Sequence, residues 1–384
     1  MERKMNILCA SDRNFLYPTY VFMGSVMENH KDVKVSFYLL AAEDVTDEDK
    51  AALKRYINSE NCEIEFLNVD SSQFDGYVVH EKFPRSAYYR LMAHKYLPED
   101  MDRILYLDVD IVVDKNIYED FYSLDFEGKY LIATSHNPNP DYCNMLTSEI
   151  VNLESAAKGE YFNSGVLLMN LDLFRKNITL DDYNKAYSSC EKAKMEIFYD
   201  QGLLNYMFYD KTKYLSSMDF NYRYSIPIQN KKRLEPGRVY KKSVLHYTGM
   251  CQPYKPWDLM LDDSDIEKYG DVPFSNNYFY VSYELNELLK RWWYYAEKTP
   301  IYDEVLASMR IKQKWFRRNL MDFTLSHNRI VKALATNNTN LITKTVYKDK
   351  EVLPPNFHWK AYKIGCIIAA PYFFLKKIFK RKKK

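Results

Sequence analysis

The sequence predicts an α/β protein: a mostly parallel central sheet with helices on both faces, followed by a helical, basic C-terminal extension. Three observations point there. Short apolar runs alternate with segments of helical periodicity through the first half of the chain, the pattern of parallel strands joined by crossover helices. The 384 residues exceed a usual single domain and 47% of them are hydrophobic, enough for one large core and an appendage. Charge is also divided unevenly. Residues 301–384 hold 19 Lys/Arg against 5 Asp/Glu, so a formal net charge of +2 conceals a body at −12 and a tail at +14.

Taken in order, MNILCA reads as a short buried strand and SDRN as the polar loop after it. Tyr20, Met23, Val26 and Met27 then mark the apolar stripe of a helix. VKVSFYLLA (33–41) is a second strand. Thr46 opens a helix whose first turn carries Asp47, Glu48 and Asp49, where acids favour the helix dipole. CEIEFLNV (62–69) is a third strand, SAYYRLMAHKYL (86–97) a helix and RILYLDVD (103–110) a fourth strand. YLIAT, FNSGVLLMNL and SVLHYT follow as further strands, with DQGLLNYMF (200–208) helical between them. Residues 280–335 read as helical and aromatic, with RWWYYAE and KQKWFRRNL on them. The expected division is 1–262 for the chemistry-bearing domain, 263–335 for an aromatic-rich helical region, and 336–384 for a linker and an amphipathic basic tail.

The six cysteines form no CxxC pair and follow no secretory apolar region, so a reducing, cytoplasmic compartment is expected. No stretch reaches the length of a membrane-spanning helix. The run Ile364–Leu375 is 12 apolar residues, and KKIFKRKKK after it has seven basic residues in nine. That pairing fits an interfacial anchor on an anionic membrane surface; a core-docking segment with a solvated end is the plainer alternative. No recognised nucleic-acid module accompanies the charge, so nucleic acid is not expected as a partner.

The chemistry begins at Asp108-Val109-Asp110. On a strand, residues two apart face the same side about 6.7 Å apart, and two carboxylates at a strand's end can converge on one divalent cation such as Mg²⁺ or Mn²⁺. A solvated turn is the alternative. Asp12 and Asn14, in the loop after the first strand, sit where ligands collect in parallel sheets; a helix cap explains the same loop. In LHYTGMCQPYKPW (245–257), His246 offers an imidazole suited to Mn²⁺ beside carboxylates. Gly249 allows close backbone approach to a phosphate, and Lys255 supplies a point charge for one.

LYLDVDIVV, FNSGVLLMNL, YDQGLLN and HYTG…KPW, in that order, resemble family 8 retaining glycosyltransferases over roughly residues 5–260. These include bacterial lipopolysaccharide galactosyl- and glucosyltransferases, general-stress-protein-like enzymes and glycogenin. The resemblance implies a GT-A fold, Rossmann-like and nucleotide-sugar-binding. It also implies UDP-galactose or UDP-glucose as donor, Mn²⁺ as cofactor (Mg²⁺ as a substitute), and transfer with retention to a glycan or glycolipid acceptor. By motif, Asp108, Asp110 and His246 correspond to the metal ligands. Ala10, Asp12 and Asn14 correspond to the uridine loop, Val109 to a backbone ribose contact, and Arg90 to a donor sugar–phosphate contact. Asn163, Ser164 and Gly165 correspond to the sugar-pocket segment, Asp200 and Gln201 to the pair beneath the sugar, and Gly249 with Lys255 to the pyrophosphate clamp.

One departure stands out: where many relatives carry an acid after the strand matching YLIAT, this loop reads SHNPNPD, with His136 near that place. Glutamine is a poor nucleophile, so Gln201 reads as a positioning residue and Asp200 as a sugar-hydroxyl ligand or candidate nucleophile. Rival readings are a nucleotide-sugar hydrolase or nucleotidyltransferase, and a non-catalytic scaffold that binds sugar nucleotides. The expected location is the cytoplasm, peripheral at the inner face of the plasma membrane.

Overall fold

The computed structural model describes residues 2–79, 85–135, 161–192, 199–215, 218–223, 242–248, 255–261 and 283–313. Expectations for the His136 loop, Gly249 and everything from residue 314 onward fall outside them. The chain forms two compact units that interleave in sequence: Met1–Tyr222 with Tyr240–His246 and Tyr295–Tyr302, and Arg223–Val239 with Tyr247–Tyr294 and Asp303–Lys384.

The first unit is built on a seven-stranded sheet. Its strands are β1 (Lys4–Ser11), β2 (Lys34–Ala41), β3 (Cys62–Leu67), β4 (Arg103–Leu107), β6 (Leu131–Ser135), β7 (Phe162–Asn170) and β8 (Thr212–Leu215), in the order β3-β2-β1-β4-β7-β6-β8. The run β3-β2-β1-β4 is parallel throughout, and β6 pairs parallel with β8. The exception is β7, antiparallel to both its neighbours. This reversal sets FNSG, at the start of β7, beside the carboxyl end of β4, with Leu107 opposite Val166. A second, three-stranded sheet has the order β5-β10-β9, from β5 (Ile111–Val113), β10 (Val244–His246) and β9 (Tyr222–Arg223).

Alternation along the central strands divides the core into two layers. Ile7, Cys9, Leu105, Leu107, Val166 and Leu168 face one side with Phe22, Met23 and Val26 of helix α1 (Leu16–Asn29). Leu8, Ile104, Tyr106, Leu167 and Met169 face the other. Apolar side chains on both faces are what a sheet covered by helices requires. Helix α2 (Asp47–Ile57) starts in a full capping box, Thr46 accepting from the Asp49 N–H and Asp49 from the Thr46 N–H.

The expected helix at 86–97 is different. Arg85–Lys95 runs as consecutive 3₁₀ turns. Ser86 and Tyr88 through His94 are all buried, so no exposed stripe imposes a 3.6-residue period, and Tyr88 and Tyr89 both stack on Phe74. Packing on every side outweighs the poorer hydrogen bonds of the tighter turn. The helices after Asn170 are α3 (Leu171–Asn177), α4 (Leu180–Lys192) and α5 (Tyr199–Phe208).

Helix α6 (Tyr283–Ala296), in the second unit through Tyr294, carries the aromatic run, and a helix over 302–313, α7, follows. Trp292 packs on Trp257 with ring centroids 5.9 Å apart, and the Trp293 indole donates to the Leu259 carbonyl. Asp258, fully buried, pairs with Lys312. Among the described residues no helix is long and apolar enough to cross a membrane. Cys9 and Cys62 are buried free thiols.

Candidate active site

The site is built where β4 ends. Leu107 closes that strand, Asp108–Asp110 bend out of the large sheet, and Ile111 enters the small one. The two acids therefore converge through a bend between sheets, where the sequence suggests the pleat of one strand. β10 lies antiparallel to β5 with His246 opposite Ile111, which delivers the imidazole beside Asp110. His246 Nε2 is 3.1 Å from Asp110 Oδ1 and 3.6 Å from Asp108 Oδ2. One ligating atom from each of the three residues lies within 4.8 Å of the others. Asp114, past the motif, is committed elsewhere: it accepts from the Tyr295 hydroxyl at 2.6 Å.

Gly165 explains why FNSG must face this cluster. A Cβ on Gly165 would collide with the Asp108 carboxylate and the His246 ring. The Asp108 backbone N–H donates to the Gly165 carbonyl at 2.9 Å, which locks the close approach.

Arg90, buried in the 3₁₀ segment, organises the opposite side of Asp108. Its guanidinium donates to Asp108 Oδ1 at 2.9 Å, to the Ser164 carbonyl at 2.8 Å and to the Ala87 carbonyl at 3.1 Å. It lies 3.3 Å from Asp200 Oδ2 and 4.0 Å from the centroid of the Tyr106 ring. The Tyr106 hydroxyl donates to the same Asp108 oxygen at 2.9 Å. Burial pushes the Asp108 carboxyl up, but the Arg90 and His246 charges outweigh it and hold its pKa below the ordinary value. Asp200 goes the other way, raised first by burial and then by Asp108, with Arg90 opposing. Burial would lower the His246 pKa, but Asp110 and Asp108 raise it overall.

Asp200 and Gln201 open α5 beneath the FNSG segment. Gln201 Oε1 accepts from Asn163 Nδ2 at 2.7 Å and from the Ser164 N–H at 3.3 Å, while its Nε2 donates to the Tyr161 hydroxyl at 2.9 Å. Asn205, one turn on, pins Phe162 through both its N–H and its carbonyl. Asp200 Oδ2 is buried and makes no hydrogen bond.

The structure thus brings Arg90, Asp108, Asp110, Asn163, Ser164, Gly165, Asp200, Gln201 and His246 together, with Val109 buried in the bend. The N-terminal loop lies at the same sheet end: burial and the Asp108 charge both raise the thiol pKa of Cys9, next to Ala10. Asp12 serves as a cap, accepting from the Phe15 N–H at 3.1 Å, and Asn14 is exposed. Lys255 belongs to the second unit, where its ammonium donates to the Tyr247 carbonyl at 2.9 Å. Sequence reasoning missed Tyr106, Tyr161, Asn205 and Asn221. Tyr106 carried a signal, being two residues before Asp108 and so on its face of the strand, and so did Asn205, which closes the YDQGLLN motif one turn after Gln201. Asn221 has none, because its partner His246 is 25 positions away.

The donor set fits a divalent cation. Two carboxylates and an imidazole suit Mn²⁺ or Mg²⁺ better than a soft metal. Among the described residues, Asp108 and Asp200 share the Arg90 guanidinium, while Asp110 lies against His246 Nε2 on the other side of the cluster. Asn221 Oδ1, 2.9 Å from His246 Nδ1, orients the ring as such sites require.

Comparison with known proteins identifies the family and the fold. Over 284 residues the chain is 26% identical to a lipopolysaccharide 1,2-glucosyltransferase of Escherichia coli, covering 70% of this chain and 80% of that one. It is 23% identical to a lipopolysaccharide 1,3-galactosyltransferase of Salmonella typhimurium, covering 66% and 74%. The galactosyltransferase LgtC, solved with donor and acceptor sugar analogues, superposes with a TM-score of 0.55 at 22% identity, over 75% of this chain and 96% of that one. That likeness bears on the fold, which is GT-A. The model of glycosyl transferase family 8 matches residues 6–261, a span holding the acid bend, FNSG, the Asp200–Gln201 pair and His246. The chain belongs to glycosyl transferase family 8.

Proposed function

We propose that the protein is a retaining hexosyltransferase that moves galactose or glucose from a UDP-sugar to a hydroxyl of a surface glycan or glycolipid, with Mn²⁺, or alternatively Mg²⁺, as cofactor. The observation that carries this reading is the convergence of Asp108, Asp110 and His246 within the family span, facing FNSG and the Asp200–Gln201 pair.

Asp108, Asp110 and His246 would hold a divalent ion, which would supply positive charge against the diphosphate leaving group. This chain's own residues do the rest. Arg90 keeps Asp108 ionised and fixed in place. Asp200 Oδ2 is ion-paired to Arg90 at 3.3 Å but makes no hydrogen bond, so it keeps acceptor capacity that a sugar hydroxyl would satisfy. Both lone pairs of Gln201 Oε1 are engaged by Asn163 and Ser164, so this oxygen is poorly placed to attack an anomeric carbon. Gln201 therefore acts as a positioning residue that holds FNSG, with one Nε2 hydrogen left to donate to a ligand oxygen. Lys255 is assigned to the diphosphate by family motif, and with Gly249 forms the proposed clamp. Ala10, Asp12 and Asn14 are assigned to the uracil and ribose, together with the Val109 backbone.

The test is a screen of UDP-sugars with Mn²⁺, reading UDP release with and without candidate glycan acceptors. Acceptor-dependent release from UDP-galactose or UDP-glucose is expected. Asp110→Asn should lower turnover by about 10²-fold or more. Unchanged turnover and Mn²⁺ dependence in that variant would sink the metal assignment. Sugar release that ignores every acceptor would favour a hydrolase.

The proposed location is the cytoplasmic face of the plasma membrane, through the basic tail. Removing residues 361–384 should abolish sedimentation with phosphatidylglycerol vesicles. A truncated chain that still sediments overturns the anchor.

A further inference from the structure

Donor and acceptor identities around the site are set by two groups that can only donate. The Gly165 backbone N–H points at Asn163 Oδ1 at 3.2 Å, and the Ser164 N–H points at Gln201 Oε1 at 3.3 Å. These two contacts fix which end of each amide is oxygen. Asn163 must then turn its nitrogen to the Gln201 oxygen, as the 2.7 Å contact between them requires. The Asn163 oxygen faces Asn221 at 3.1 Å, and only the Asn221 nitrogen can donate to it. The Asn221 oxygen is left for His246 Nδ1 at 2.9 Å. A ring nitrogen facing a carbonyl oxygen must carry the proton, so Nδ1–H is fixed toward Asn221, and Nε2, turned to Asp108 and Asp110, is the nitrogen whose proton a bound cation would displace.

We propose that Asn221 is a positioning residue for the metal centre, holding His246 in the Nδ1-protonated form whose Nε2 ligates. Asn221 is 97% buried, immediately before β9. The chain Gln201–Asn163–Asn221–His246 then has a single polarity from the sugar-facing pair to the metal ligand. A flip of any one amide would set two donors or two acceptors against each other in the interior. This inference rests on the metal reading above.

The test measures Mn²⁺ binding to the full chain through the electron paramagnetic resonance signal of free Mn²⁺, without turnover. Asn221→Leu, close in volume but with no acceptor, should bind Mn²⁺ about 10- to 100-fold more weakly. Asn221→Asp keeps the acceptor for Nδ1 and should stay within about threefold of the parent. A packing role predicts the reverse order, because an ionised Asp is the worse buried residue. Equal binding by the Leu variant and the parent overturns the proposal, as does equal loss in both variants. A second measurement needs no variant to fold: long-range ¹H–¹⁵N spectra of the Mg²⁺-loaded parent should show His246 protonated at Nδ1. Protonation at Nε2 with a bare Nδ1 overturns the proposal. If the parent itself binds no Mn²⁺, the metal reading fails first and this inference falls with it.

Discussion

Gly165 shapes the cluster by lacking a side chain. The space a Cβ would fill is taken by the Asp108 carboxylate and the His246 ring, so Gly165→Ala should push the ligands apart and weaken Mn²⁺ binding by about tenfold or more, as a Mn²⁺ titration would show. Arg90 is the other residue on which the site depends. It has four oxygen partners and a ring beneath it. Removing it as Arg90→Met takes the cation from buried Asp200 and leaves Asp108 with Tyr106 and His246. The expected loss is about 3–5 kcal/mol in urea unfolding. A loss below about 1 kcal/mol would show that the pair is not buried in solution.

At the scale of elements, a reversed strand and a bend do the assembling. Because β7 runs against β4, its first residues reach the carboxyl end of the parallel strands, where open α/β sheets bind ligands. Because the chain changes sheets at Asp108–Asp110, the acids meet a histidine carried by the second sheet. Helix α2 has no part in this and gives a control. Thr46→Ala removes the capping box and should cost about 1 kcal/mol of stability with Mn²⁺ binding unchanged. The strands were legible in the sequence because the two-residue period and apolar runs are local. The 3₁₀ course of 85–95 was not, since it arises from burial on every face, which a single segment does not reveal.

At the scale of the whole molecule, stability should depend on pH through His94. Its Nε2 donates to the Ile178 carbonyl at 3.2 Å and its Nδ1 is buried without a partner, so a second proton would have no acceptor. Burial, chiefly, pushes its pKa down to about 4. The unfolded chain, at about 6.5, therefore binds this proton first. Stability is lost as pH falls from about 6.5 toward 4, by about 1.4 kcal/mol per pH unit and about 3 kcal/mol in all. His30 shifts in the same direction, whereas Asp12, Asp200 and Asp258 are raised and act oppositely. The measurement is accordingly the difference between the parent and His94→Gln in urea unfolding from pH 7 to 4. His94→Gln keeps a donor for Ile178 and should flatten the slope by that amount.

By itself the sequence determined the α/β class, the family, and the identity of the acids, the imidazole and the amide pair. These are carried by short runs such as LYLDVDIVV, FNSG and YDQG, whose chemistry is local and whose order along the chain is specific. Only the tertiary structure decided how they meet: that β7 is reversed, that Asp108 and Asp110 converge through a bend between sheets, that Tyr106 and Arg90 hold one acid oxygen together, and that Asn221 faces His246. Those facts are contacts between residues distant in sequence, and their donors and acceptors are fixed by backbone groups whose direction exists only once the chain is folded.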